Sequence, residues 1–346
     1  MLAHIIDAKL LASFKQYMET SSDIVVTCHI SPDGDAVGSN LALKLMLERF
    51  GKTVHVVSPD NIPDDMAFLP SCQEIVSFAK EPDKASALVE KADLICCLDF
   101  NGLKRVGGMA SVLDAAQGKK IMIDHHLYPE PFCNVTISSS EMTSTCELLY
   151  RVFYEAGWLD LIDKDIAECI YTGMMTDTGN FSYNSNKPDL YRIVADLVER
   201  GIDKDRIYKL TLGTSSESRM RLNCYAIAEK MRVFPRHRAA LTILDHNDLK
   251  KFHYQVGDTE TLANMPLAIP NVRWSTFFRE EKGYIKVSMR SEGDFPVNTL
   301  CAKYFNGGGH ANAAGGEFRG SLEEAIETFK KILYHSSDYQ NQNEDN

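Results

Sequence analysis

The chain has 346 residues, 44% hydrophobic and 25% charged, an ordinary globular composition with ample apolar material for a core and a length that calls for two domains. Its formal net charge of -11 and pI of about 5.4 exclude a protein built to track a long nucleic-acid backbone, which needs a basic face. They favour a short or small anionic substrate, met where metal ions invert the local charge.

The amphipathic N-terminus MLAHIIDAKLLASFKQYME lacks a signal-peptide pattern. DIVVTCHI (23–30) reads as a β-branched strand ending in the turn SPDGD, and VGSNLALKLMLERFG as a helix closed by Gly51. TVHVVS (53–58), DLICCLDF (93–100) and KKIMIDHH (119–126) are nearly all apolar, as strands covered on both faces of a parallel sheet are. Strands alternating with helices predict a doubly wound, mostly parallel α/β domain. TSTCELLYRVFYEAGW, KDIAECIYTGMMTD, PDLYRIVADLVERG and SSESRMRLNCYAIAEKMRV read as helices. Thr143 or Ser144 is placed to cap the first of them, and Glu147 to close a capping box. RAALTILD, VRWSTFFRE and YIKVSMRS then read as strands of a smaller second α/β domain, SLEEAIETFKKILYH as its helix, and NGGGHANAAGG (306–316) as the glycine-rich connection between them. The expected organisation is a catalytic domain over 1–190, a helical linker over 191–235, a substrate-binding domain over 236–335 and a frayed polar tail over 336–346. No apolar run approaches the ~20 residues of a membrane span. The nine cysteines lack a CxxC pair and read as reduced buried thiols, so a cytoplasmic protein with no membrane partner is expected.

Polar residues gather where the strands end, the place where ligands bind in such sheets. His29, Asp33 and Asp35 sit in the turn after the first strand, with Gly34 permitting the bend. Asp99 ends the third strand and Asp124-His125-His126 the fourth, while Asp177 lies between threonines at a helix end. Crowded carboxylates repel unless something neutralises them. Five carboxylates and two or three imidazoles suit two divalent cations that share one carboxylate and one water, and that water is activated for in-line attack on phosphorus. Gly307, Gly308 and Gly309 permit close approach of backbone N–H groups to an anion. His310 adds a donor and Arg290 can fork onto a phosphate. No P-loop, GxSxG or HExxH supports a competing hydrolytic scheme.

HxxxDGD followed by AVGS, a strand-terminal Asp, the DHH triplet, DTGxF and GGGHANAAGG, in that order, resemble the DHH phosphoesterase superfamily with the GGGH type of DHH-associated domain. The resemblance spans roughly residues 20–320. It implies one metal on His29, Asp33 and Asp99, and a second on Asp35, Asp99, His125 and Asp177. It further implies His126 at the scissile phosphate or in proton transfer, Asp124 behind the ligands, manganese as the metal and an active site in the cleft between the two domains. A homodimer also follows from it. Among the members, the chain looks most like the bifunctional oligoribonucleases and 3'-phosphoadenosine-5'-phosphate (pAp) phosphatases. The substrates so implied are RNA of about two to five nucleotides, cut to mononucleotides, and pAp, with no long nucleic-acid track.

Two alternatives stand beside this reading. An exopolyphosphatase or other small phosphoester phosphatase shares the metal chemistry and lacks the base-stacking requirement. A catalytically silent nucleotide-binding protein on the same scaffold would be separated by metal analysis.

Overall fold

Apolar, β-branched runs with no polar face are strands covered on both sides. In the computed structural model of the protein, which describes residues 2–341, they build a six-stranded sheet. The chain divides into two compact units, Met1–Thr214 and Ser215–Asn346.

The first unit opens with α1 (Ala8–Thr20), capped by Asp7, then β1 (Asp23–Thr27) and α2 (Gly34–Arg49). There follow β2 (Thr53–Ser58), the short β3 (Val76–Ser77), α3 (Pro82–Lys91), β4 (Leu94–Leu98), α4 (Ala110–Ala115), β5 (Lys119–Asp124) and β6 (Val135–Ser138). The helices α5 (Thr145–Ala156), α6 (Lys164–Asp177), α7 (Pro188–Glu199) and α8 (Lys204–Leu210) complete it. The sheet order is β3-β2-β1-β4-β5-β6, and every pair is parallel. The doubly wound class expected from the sequence is observed, with β3 and β6 as edge strands too short to read from periodicity. The order reverses between β1 and β4, which is the topological switch point where such sheets bind ligands.

One face of the sheet buries Ile24, Val26, Leu94, Cys96 and Ile121 against α2, α5 and α6. The other buries Val25, Ile95 and Cys97 against α3 and α4. Leu190, Ile193 and Leu197 on α7 and Ile207 on α8 join the first of these cores, at the spacing of one helix face. The helix α2 is buried over nearly its whole length because glycines let α6 approach. A Cβ on Gly38 would lie 2.4 Å from the Cys169 carbonyl oxygen, and one on Gly173 would lie 2.7 Å from Asp35 Oδ1. Gly51, at φ 71, follows the last turn of α2 as expected of a helix-closing glycine. At the start of α5, Ser144 is the cap and accepts from the Glu147 N–H. The Glu147 carboxylate reaches Thr143, one residue further back than a capping box requires.

The second unit contains α9 (Glu217–Tyr225), β7 (Met231–Phe234), β8 (Ala239–Leu244), α10 (His246–Lys251), β9 (Trp274–Glu281) and β10 (Tyr284–Ser291). After these come α11 (Val297–Tyr304), β11 (Gly308–His310), β12 (Ala313–Phe318) and α12 (Leu322–Asn341). Its sheet runs β11-β12-β10-β9-β8-β7, antiparallel except for β8 and β9. Trp274, Phe278 and Val287 pack on Phe329 of α12 and Cys301 of α11.

Three expectations change here. The helix expected through 233 stops near Lys230, and Met231–Phe234 pairs with β8 instead, because tertiary pairing outweighs weak local propensity. The glycine run is a hairpin, β11 and β12, and not a connecting loop. The polar tail expected from 336 continues α12 as far as Asn341, and 342–346 lie outside the described residues. Among the described residues no helix is long and apolar enough to cross a membrane, and all nine cysteines are free thiols.

Candidate metal centre

Each acidic or imidazole residue singled out in the first half of the sequence falls at the carboxyl end of the parallel sheet. His29 follows β1, Asp99 follows β4, and Asp124 closes β5 with His125 and His126 after it. Asp33 caps α2, donating no proton but accepting from the N–H groups of Asp35 and Ala36 at 3.0 Å each. Asp35 lies in the first turn of α2 and Asp177 ends α6. The glycine contacts between these two helices are what bring Asp35 and Asp177 to one place.

Asp99 is the hub. It is 2% exposed, and its carboxylate oxygens lie 3.3 Å from His29 Nε2, 3.6 Å from His125 Nε2 and 3.7 Å from His126 Nδ1. Its backbone is left-handed, φ 63, a conformation an aspartate tolerates better than most residues at a modest strain cost. His29 Nε2 also lies 3.9 Å from Asp33. His125 Nε2 lies 3.3 Å from Asp177 and 4.0 Å from Asp35. The ligand atoms fall into groups whose members all lie within 4.8 Å of one another: His29, Asp33 and Asp99; Asp35, His125 and Asp177; Asp99, Asp124 and His126.

Hydrogen bonds on the far ring nitrogens orient the imidazoles. His29 Nδ1 is 2.7 Å from the Ile30 carbonyl oxygen, which turns Nε2 toward Asp99. His125 Nδ1 faces the Met142 carbonyl oxygen at 3.4 Å. His126 Nδ1 is 2.7 Å from Asp124 Oδ1, whose other oxygen accepts the His126 N–H.

The electrostatics are those of an anionic cluster out of water. Burial, with the Asp99 charge behind it, pushes Asp35 up to about 7. Burial, with Asp35, Asp33 and Asp99 around it, raises Asp177 well above the carboxylate range. Burial alone would lower His29, but the hydrogen bond to Asp99 and the charges of Asp33 and Asp99 outweigh it and push the ring up to about 9. Burial would likewise raise Asp99, but His29, His126 and His125 hold it below the usual range. Four carboxylates and two imidazoles converge here, Asp35, Asp99, His29 and His125 buried, Asp177 partly so and Asp33 exposed at the rim; this oxygen-plus-nitrogen donor set fits divalent cations.

Some of the site was not legible as motif. The N–H groups of Thr145 and Cys146 donate to Asp35 at 2.6 and 2.8 Å, and the Thr145 hydroxyl donates to Asp99 at 2.9 Å. The positive end of α5 therefore faces the carboxylates. The cap at Ser144 marked that helix start, but its target lies 110 residues away in the chain.

In the second unit, Arg290 is half-buried near the end of β10, its Nη1 donating to the Met289 carbonyl. It pairs with Ala313 of β12, and Ala313 pairs with His310 of β11. Arg290 and His310 thus share one end of the sheet. Gly307 and Gly309 answer a packing demand: a Cβ would lie 2.1 Å from the Gly315 oxygen at the first and 2.5 Å from the Ala313 oxygen at the second. Around Gly308 there is open space.

The first unit is thus a fully parallel doubly wound sheet with carboxylates and imidazoles gathered at its strand ends. Residues 23–174 match the DHH family, N-terminal domain, and residues 242–335 match the DHHA1 domain; the chain belongs to the DHH family. A crystal structure of an exopolyphosphatase-related protein from Bacteroides fragilis is 46% identical, with a TM-score of 0.95 over 98% of this chain and 99% of that one. The bifunctional oligoribonuclease and PAP phosphatase of Thermus thermophilus is 28% identical over 88% of this chain and 87% of its own. The protein of the same description from Bacillus subtilis is 25% identical over 84% and 88%.

Proposed function

We propose that the protein hydrolyses very short RNA, about two to five nucleotides, to mononucleotides and removes the 3'-phosphate of pAp, using two divalent cations, with manganese as the metal. The observation that carries this is Asp99, one buried carboxylate set against three imidazoles between two ligand groups. His29, Asp33 and Asp99 would hold one cation and Asp35, Asp99, His125 and Asp177 the other. Bound there, the pair supplies Lewis acidity toward phosphate oxygens and lowers the pKa of water, so no protein nucleophile is needed.

The chain's own residues do the rest. The N–H groups of Thr145 and Cys146 fix the Asp35 carboxylate, and Thr145 Oγ1 fixes Asp99. Asp124 holds His126 through Nδ1, so proton transfer to the leaving oxygen runs through Nε2. Substrate contacts are assigned to the second unit: Arg290 forks onto a phosphate, the glycine run 307–309 offers backbone N–H groups at Gly308 and Gly309, the Gly307 N–H donating instead to the Cys301 carbonyl at 3.3 Å, and His310 adds a donor. The relatives described as oligoribonuclease and PAP phosphatase support this choice of substrates.

The description of the 46% identical relative favours a second reading, hydrolysis of linear polyphosphate. One assay separates the two. The manganese-loaded protein is offered a 5'-phosphorylated RNA dinucleotide, a long RNA, pAp and polyphosphate side by side. Rapid loss of the dinucleotide and pAp with slow loss of the long RNA is expected. Preference for polyphosphate, with both nucleotide substrates intact, would overturn the first reading.

A further inference from the structure

The sheet of the second unit carries a row of basic residues along one end. Strand order and register set Arg290 on β10, Arg273 immediately before β9, and Arg238 immediately before β8, on successive neighbours. Strand spacing is ~4.8 Å, so the row runs sideways from the position of Arg290 by about two strand widths. Beside it is a concavity of about 340 Å³ bordered by Arg238 and Arg273, with Leu267, Ile269 and Asn271 among its walls and Gly293 at one edge. That volume lies at the lower end of the range for small-molecule sites.

Three features show what the concavity suits. First, Arg238, Asn271 and Gly293 all have positive φ, at 47, 69 and 66. The Arg238 backbone is clamped in that conformation, its carbonyl accepting from the N–H groups of Arg273 and Trp274. A bulky residue held left-handed at the mouth of a cavity is the kind of strain that accompanies ligand sites. Second, Arg273 is tied to Asp294, whereas the Arg238 guanidinium is exposed and makes no hydrogen bond or ion pair among the described residues. Third, the charge is balanced. Glu292 also borders the space, so a polyanion gains little here. A flat, uncharged group with donors on its edge gains from an apolar wall, a guanidinium plane to stack on and a carboxylate to donate to.

We propose that this concavity is a nucleobase pocket, in which the base of a nucleotide substrate stacks on Arg238 over the Leu267–Ile269 wall and donates from its edge to Glu292. The pocket deepens the proposed function and rests on it for the identity of the substrate. It supplies the base contact that a polyphosphate cannot use.

The test couples a base to a residue. Arg238→Asn keeps a side chain that tolerates the left-handed backbone and removes the guanidinium; Arg273→Gln serves as a second variant, and thermal melts check that both fold. Full-length protein is assayed on an RNA dinucleotide and on the same dinucleotide with the base of one residue replaced by an abasic sugar, at each position in turn. Arg238→Asn is expected to lower kcat/KM about tenfold on the intact dinucleotide and less than about twofold on one of the abasic compounds. Equal losses on all three, or no loss on any, would overturn the pocket while leaving the metal chemistry standing. If the wild type cleaves no RNA and no pAp, the proposed function fails, and photolabelling with 8-azidoadenosine 5'-monophosphate decides the pocket alone. Label on 267–273 that adenosine 5'-monophosphate displaces and polyphosphate does not supports it; absence of label there overturns it.

Discussion

His29 Nε2 and Asp99 Oδ2 lie 3.3 Å apart, both out of water, with the ring's other nitrogen turned away to the Ile30 carbonyl. In the metal-free protein this pair and its neighbours set a pH dependence of definite sign. Asp35 is pushed up to about 7 from an ordinary value near 4, and Asp177 rises in the same direction. A carboxyl raised in the folded state contributes stability that is lost as pH rises from the unfolded value through the folded one. His29, at about 9, contributes stability that is complete below about 6.5 and lost as pH rises through 9. All three act together, so between pH 5 and pH 9 the chelated protein should melt lower, by on the order of 5 °C. With metal bound the ligands carry no proton, so protons compete with the metal and the slope reverses. Thermal melts with and without chelator at several pH values check this; identical slopes would remove the metal assignment.

Asp99 and Arg290 separate two kinds of loss. Asp99→Ala takes a donor from both proposed cation sites and leaves three imidazoles without the carboxylate they share. Activity should fall by at least a thousandfold, roughly 4 kcal/mol, and bound metal should drop measurably in elemental analysis. Arg290→Ala, in the other unit, should raise KM about tenfold or more and leave metal content at the wild-type level. Metal loss in Arg290→Ala, or wild-type turnover in Asp99→Ala, would break this division of labour.

How far the sequence disclosed this arrangement follows from what each signal depends on. His29, Asp99 and the Asp124-His125-His126 run were readable because a polar residue at the end of an apolar strand is visible in a single stretch of chain, and parallel sheets collect such ends on one edge. Asp177 needed a helix to terminate at the same edge, which Gly179 and the threonines beside it signalled. The role of α5 was not readable, because its N–H groups serve a carboxylate 110 residues away. The strands β3, β6 and β11, two to four residues long, carry too few alternations to show a period. The glycines at 307–309 were read as an anion cradle; the close approach around 307 and 309, where a Cβ would meet the backbone of Gly315 and Ala313, was not readable from the motif.

Gly173 is the residue through which helix packing reaches the site. A Cβ there would lie 2.3 Å from Cys146 Sγ and 2.7 Å from Asp35 Oδ1, and α6 cannot retreat without moving Asp177 with it. Gly173→Ala should cost about 1–3 kcal/mol of stability, the usual range for overpacking a core, despite the gain in helix propensity. Metal affinity should weaken as Asp35 is displaced. Denaturant melts and metal titration check the two effects; an unchanged or raised stability would show that the helices have slack that their contacts do not indicate.

Asp124 tests whether His126 is positioned or merely buried. The carboxylate holds both Nδ1 and the backbone N–H of His126, and it stabilises the ring when the ring carries a second proton. Asp124→Asn preserves shape and one acceptor but removes the charge, so the folded protein and its metal content should be little altered. The turnover number should fall about a hundredfold, within the range of general acid–base contributions, with KM nearly constant. Steady-state kinetics on the RNA dinucleotide read both constants, and thermal melts with elemental analysis check fold and metal content. An unchanged kcat, or a loss that appears in KM alone, would mean that Asp124 serves only to place the loop, and the proton would have to come from another group.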